Sequence, residues 1–248
     1  MRGKNLWIGY LLPGVIAAAV LAGCGNKTAD SQLAKTGSEE SVQDPAGQTA
    51  LQPVRNTEDT EFTQRDGSGN NILIAYFAVA ENSDVDAVSS ASVVTVNGGA
   101  EGRLQHLAKL IQEETGGELF SIQTAVDYPG DGGKLIDYAA EEQDQDTRPE
   151  ITNHIENLDQ YDVVFVGYPT WWYDLPQVMY SFFDEYNFAG KTIIPFNSHN
   201  GSRFSGTIET ITELEPGAKV LTDGFTVSER NVADAGDDIA DWVRSLDF

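Results

Sequence analysis

The run Tyr161-Asp-Val-Val-Phe-Val166, continuing as Gly167-Tyr-Pro-Thr-Trp-Trp-Tyr-Asp-Leu-Pro176, decides the reading of this chain. Val163 to Val166 are β-branched or aromatic with no polar break, the pattern of a strand buried on both faces. That strand runs into a Gly/Pro loop carrying Trp171 and Trp172 side by side. Two indoles at the C-terminal end of a buried strand are broad flat surfaces, placed where open α/β sheets bind ligands. A planar, redox-active aromatic ring suits such a loop.

Four further apolar runs are spaced around this one. They are Asn71 to Phe77, Glu118 to Thr124, Lys191 to Asn197 and Lys219 to Thr226. The runs at 71, 161 and 191 are the most uniformly apolar and are expected at the sheet centre. Helical patterns lie between them. Leu104, Leu107, Ala108, Leu110 and Ile111 fall on one face, and Gly116-Gly117 ends that helix. Others cover Leu135 to Gln143, Leu175 to Tyr186, Ser205 to Leu214 and Val232 to Leu246, with Trp242 expected in the core beside Ile239. Alternation of strand and helix predicts an α/β fold, a parallel sheet with helices on both faces. The stretch from Ala78 to Glu101 interrupts it as an unusually long loop, which predicts either a cover over a binding site or an insertion.

The N-terminus carries a different kind of signal. Arg2 and Lys4 precede an apolar run from Leu6 to Val20, then Leu21-Ala-Gly-Cys24. This predicts an export segment over residues 1–23. Leu21 to Cys24 resembles the lipobox of bacterial lipoproteins, which implies cleavage before Cys24 and a lipid on its sulfur, hence an exported chain anchored to the cell envelope. An ordinary signal peptide or an uncleaved anchor are the alternatives. Residues 24–70 are rich in Ser, Thr, Gln, Gly and acidic residues and cannot bury enough surface to fold, so they predict a flexible tether reaching about 35–40 Å. Cys24 is the only cysteine, so no internal disulfide and no thiol chemistry are expected in the domain.

Residues 71–248 form the expected domain. It has 9 Lys and Arg against 31 Asp and Glu, a net charge of −22. Such a field repels nucleic acid and anionic headgroups and attracts partners with basic patches. Solubility alone is the competing explanation of those charges. The sequence has no zinc-ligand spacing, no Ser-His-Asp order, no phosphate-binding loop of the Walker type and no basic stripe.

As a set, several segments resemble the flavodoxin-like family, and within it the group found in bacterial envelope lipoproteins. They are Ile72 to Phe77, Thr115 to Phe120, Tyr128-Pro129, Arg148-Pro-Glu150, Gly167 to Trp172, Asp174-Leu-Pro176, Phe188 to Phe196 and Phe204 to Ile208. The resemblance covers essentially residues 71–248. It implies a three-layer sandwich with a five-stranded parallel sheet of order 2-1-3-4-5 and a ligand at the switch between strands one and three. It also implies the cofactor FMN. The loop Tyr168, Pro169, Thr170, Trp171 and Trp172 would flank the ring on one side. Ser198, His199, Asn200 and Gly201, with Phe204 nearby, would hold the other.

The phosphate end departs from the family pattern of a Ser after the first strand and Gly-Asn-Thr at the first helix. Here Ala78 replaces the Ser, and Gly102, Arg103 and Leu104 open the helix. Either Arg103 supplies a guanidinium in place of the hydroxyls, or phosphate recognition is lost with them. Ser89, Ser90 and Ser92 are further candidate substitutes. His199 reads as a hydrogen-bonding or proton-transferring group at the ring, or as a loop residue that holds its neighbours, the reading we favour. Asp174 is expected to cap the helix that follows rather than to orient the tryptophan loop. The resemblance implies electron transfer through FMN with basic redox partners, with an FMN-dependent NAD(P)H oxidoreductase or a flavin-free binding lipoprotein as alternatives.

Overall fold

The computed structural model describes residues 71–248, which all lie in one compact unit. The export segment, Cys24 and the tether lie outside the described residues.

The strands are β1 (Ile72–Tyr76), β2 (Val93–Val96), β3 (Gly99–Gly102), β4 (Glu118–Ser121), β5 (Val163–Pro169), β6 (Thr192–His199), β7 (Lys219–Val220) and β8 (Phe225–Ser228). The helices are α1 (Arg103–Thr115), α2 (Gly132–Asp144), α3 (Gln177–Glu185), α4 (Thr207–Leu214) and α5 (Gly236–Ser245). The main sheet is parallel throughout, in the order β4-β1-β5-β6 with β7 and β8 both on the outer edge of β6. This is the 2-1-3-4-5 order, with β1, β5 and β6 inside as their apolar character predicts.

Alternation along the strands sorts the core into two layers. Leu73, Ala75, Val164, Val166 and Tyr168 face one side, packed with Val178, Met179 and Phe182 of α3 and Ile211 of α4. Ile74, Tyr76, Val163, Phe165, Ile194 and Phe196 face the other, packed with Leu104, Leu107 and Ile111 of α1 and Ile239 and Val243 of α5. Trp242 flanks that second layer, edge-on to Phe165 at 5.8 Å. Gly116, at φ +70°, closes α1 in the left-handed region where glycine carries no Cβ penalty.

Two regions differ from the sequence expectation. The fifth strand is split, and the break faces Pro195 of β6, which has no N–H for that side of the ladder. The interruption after β1 holds a β-hairpin of β2 and β3, paired from Val93↔Gly102 to Val96↔Gly99. Its two-residue turn, Asn97-Gly98, has φ of +52° and +79°, the Asn-Gly signature of a type I′ turn. Asn82 pins the start of the insertion. Its amide donates to the carbonyls of Ala78 and Ile122 at 3.1 and 3.0 Å, and its oxygen accepts Thr124 N–H at 2.8 Å.

Candidate functional site

The loops at the C-terminal ends of β1, β5 and β6 enclose a cleft of about 1120 Å³. Five segments line it: Asp84–Val85 after β1, the Ser89–Val93 approach to the hairpin with Arg103, the Pro129–Ala139 region around the start of α2, Pro169–Tyr173 after β5, and Ser198–Ser202 after β6. Glu229, just after β8, closes the end beside Arg103.

The aromatic side is built on a tight turn. Trp171 N–H donates to Asp174 C=O at 3.0 Å and Asp174 N–H to Trp171 C=O at 2.8 Å. Between them Trp172 and Tyr173 have φ of +47° and +69°. Residues with aromatic side chains occupy that region at a cost of about 1–2 kcal/mol each, and such strain concentrates at functional sites. Trp171 is braced from behind, with its ring edge-on to Phe77 at 5.8 Å and to Tyr128 at 5.7 Å. The Trp172 indole N–H donates to Ile136 C=O of α2 at 3.1 Å, which ties the turn to the opposite wall. Tyr173 is 73% exposed.

Asp174 does not cap α3, which begins two residues after Leu175 with Pro176 at its N-cap. One Asp174 oxygen accepts Leu175 N–H at 2.8 Å and the other accepts Tyr180 O–H at 2.9 Å. With the proline in the cap position, the carboxylate instead ties the end of the tryptophan turn to Tyr180 of α3, so the expected cap is not made. Arg148 stacks 4.9 Å from the centre of the Tyr180 ring and so stiffens the same brace.

The loops after β5 and β6 are sewn together. Asn197, fully buried, donates to Thr170 Oγ1 at 2.5 Å and to Arg203 C=O at 3.0 Å. Thr170 in turn donates to Arg203 C=O at 2.9 Å. His199 Nδ1 accepts Gly201 N–H at 2.9 Å, so this nitrogen carries no proton and the other ring nitrogen bears the N–H. Burial, then the nearby Arg203 charge, lowers the His199 pKa from its ordinary value. The shift favours the uncharged imidazole, whose remaining ring N–H is left as a hydrogen-bond donor at the cleft.

The polar end holds Arg103, Ser90 and Ser92. Arg103 Nη1 donates to Glu229 Oε2 at 2.8 Å, while its Nε is buried with no partner. Arg103 N–H donates to Ser92 C=O at 2.9 Å and Ser90 O–H to Ala91 C=O at 3.1 Å.

Twelve of the residues singled out from the sequence meet in this cleft: Arg103, Pro169, Thr170, Trp171, Trp172, Ser198, His199, Asn200 and Gly201, and the candidate phosphate groups Ser89, Ser90 and Ser92. Five do not line it. Ala78 is buried against Gly102, where a Cβ would come within 3.0 Å of the alanine methyl. Leu104 is in the α1 core layer. Tyr168 is fully buried, its hydroxyl 2.8 Å from Thr207 Oγ1. Phe204 packs against the layer of α3 and α4. Residues of the α2 wall, Lys134 and Ile136 among them, were not anticipated, although Tyr128-Pro129 marks the approach to them. Glu229 has no sequence signal at all.

A family model described as Flavodoxin matches residues 87–246. A crystal structure from Bacteroides eggerthii, provisionally described as a flavoprotein, is 25% identical, with 69% of this chain and 99% of that one covered and a TM-score of 0.51. A second, similarly described, from Bacteroides uniformis is 23% identical over 71% of this chain and 99% of that one, with a TM-score of 0.56. A flavoprotein in complex with FMN from Lactobacillus acidophilus is 17% identical over 68% and 99%, with a TM-score of 0.47. No curated protein matches the chain in sequence. The chain belongs to the flavodoxin family.

Proposed function

We propose that this chain binds FMN in the cleft and works as an electron-transfer protein tethered to the cell envelope. FMN is the cofactor of the family, and the donor set fits it. An aromatic wall of Trp171 and Trp172 suits the flat ring. At the other end an unpartnered buried Arg103 Nε, with Ser90 and Ser92 alongside, suits a phosphate. The observation that carries the reading is the strained Trp172-Tyr173 turn, which holds its rings at the ligand end of the sheet at a cost the fold alone does not require.

FMN supplies one- and two-electron chemistry when bound. The chain's residues supply the rest. Trp171, braced by Phe77 and Tyr128, presents a fixed surface. The 198–202 loop closes the opposite side, and His199 offers the cleft a ring N–H. The domain's −22 charge favours association with redox partners carrying basic patches. Leu21 to Cys24 supports the lipid anchor and residues 24–70 the tether. Purified protein should carry FMN, or take it up at one equivalent, and pass electrons to a basic acceptor at a rate that falls with added salt.

One observation favours a second reading. The cleft is slightly larger than the roughly 300–1,000 Å³ usual for a single small-molecule site, and Ile136, Trp172 and Tyr173 leave its rim open and apolar. A reductase that takes a hydride from NAD(P)H needs such room beside the flavin. Steady-state NAD(P)H oxidation by the FMN-loaded protein separates the two.

A further inference from the structure

The polar end of the cleft is closed on itself. Arg103, the first residue of α1, is the cation placed there by the fold, and its Nη1 is held by the Glu229 carboxylate at 2.8 Å. Both side chains are about three-quarters buried. The Arg103 backbone N–H, a natural anion donor at a helix start, is taken by Ser92 C=O, and the Ser90 hydroxyl by Ala91 C=O. Only Arg103 Nε is left buried without an acceptor. The Glu229 backbone is fixed, its N–H donating to His199 C=O at 2.8 Å beside the last β6–β8 pair, so its side chain is the part free to swing.

We infer that Glu229 is a built-in competitor for the flavin phosphate at Arg103, and that this contest sets how strongly the site distinguishes FMN from riboflavin. A phosphate and a carboxylate want the same fork of guanidinium donors. The phosphate therefore displaces a charge-assisted contact already made, or shares the guanidinium with a like charge. Riboflavin, which has no phosphate, makes no such demand. The inference rests on the flavin reading above and adds to it a residue that works against the cofactor's charged end.

The test compares wild type, Glu229→Gln, Arg103→Ala and the double variant, by titrating each full-length protein with FMN and with riboflavin. Gln keeps an acceptor for Arg103 and removes the charge. Glu229→Gln should tighten FMN by about tenfold, the scale of one charge-assisted contact, and leave riboflavin within about twofold. In the Arg103→Ala background the same substitution should tighten FMN far less. FMN affinity unchanged or weakened by Glu229→Gln would overturn the inference. So would an equal gain without Arg103, because Glu229 would then act through its field alone. Inorganic phosphate keeps the test independent of the flavin. It should raise the melting temperature of Glu229→Gln more than that of wild type, and not that of the double variant. If no variant binds flavin, the flavin reading fails and the phosphate result still decides the role of Glu229. Phosphate without effect on every variant, alongside absent flavin binding, overturns both.

Discussion

Gly167, inside β5 and paired with Phe196 of β6, offers the sharpest test of the packing beneath the site. A Cβ built there lies 2.2, 2.4 and 2.8 Å from three carbons of the Phe196 ring. Phe196 is fully buried on the α1 and α5 face, so the ring has nowhere to retreat. Forcing a methyl into a filled core costs about 1–3 kcal/mol. In a domain of this size that is a fall in melting temperature of about 3–10 °C for Gly167→Ala. Phe196→Leu alone removes ring volume and should cost about 1–3 kcal/mol through the cavity it leaves. Together the new methyl occupies part of that cavity, and the double variant should be more stable than the sum of single effects by at least about 1 kcal/mol. Circular dichroism melts and denaturant titrations of the four proteins measure the cycle. A Gly167→Ala cost below about 0.5 kcal/mol, or strict additivity, would refute the claimed contact.

Tyr173→Gly tests the strained turn. Relief of the left-handed backbone, about 1–2 kcal/mol, roughly offsets the lost burial of a side chain already 73% exposed and the extra freedom of the unfolded chain. Stability should stay within about 1 kcal/mol of wild type while FMN binding weakens; the account loses its basis if the melting temperature drops steeply and binding does not change. Glu142 is buried, with Tyr128 O–H donating to it at 3.3 Å, and burial pushes its carboxyl up from 4.5 to about 7. The unfolded chain ionises it first, so it destabilises the fold progressively between pH 4.5 and 7, by up to about 3 kcal/mol above that range. Glu142→Gln should flatten this slope in denaturant titrations from pH 4 to 8, and parallel curves for the two proteins would contradict the assignment. The electron-rich wall and the carboxylates of Asp84, Asp131 and Glu229 at the cleft disfavour added negative charge on a bound flavin. Its midpoint potential, measured by dye-coupled reduction, should lie below that of free FMN, and a value at or above it would show that other groups dominate.

The inner strands of the main sheet and the segments around the cleft were legible because buried strands and helix faces leave periodic apolar patterns, and because Trp171-Trp172 breaks the usual composition of a strand end; the β2–β3 hairpin was not. The direction of individual side chains was less so. Tyr168 and Leu104 sit in the right segments, yet strand alternation turns Tyr168 toward Thr207, and helix phase puts Leu104 with Leu107 and Ile111. Asp174 has the residue type of a cap, but Pro176 takes that place and frees the carboxylate for Tyr180. The split of the last strand follows from a single missing N–H at Pro195. The Arg103–Glu229 pair joins residues 126 apart, and no local pattern announces a contact of that kind.

Equilibrium titration of the purified, flavin-free protein with FMN, followed by the flavin's absorbance shift and fluorescence quenching, tests the central claim most directly. The account predicts one equivalent bound, with binding weakened by loss of the Trp171 ring and by Arg103→Ala. A folded protein that stays colourless and leaves FMN fluorescence unchanged at every concentration would contradict it.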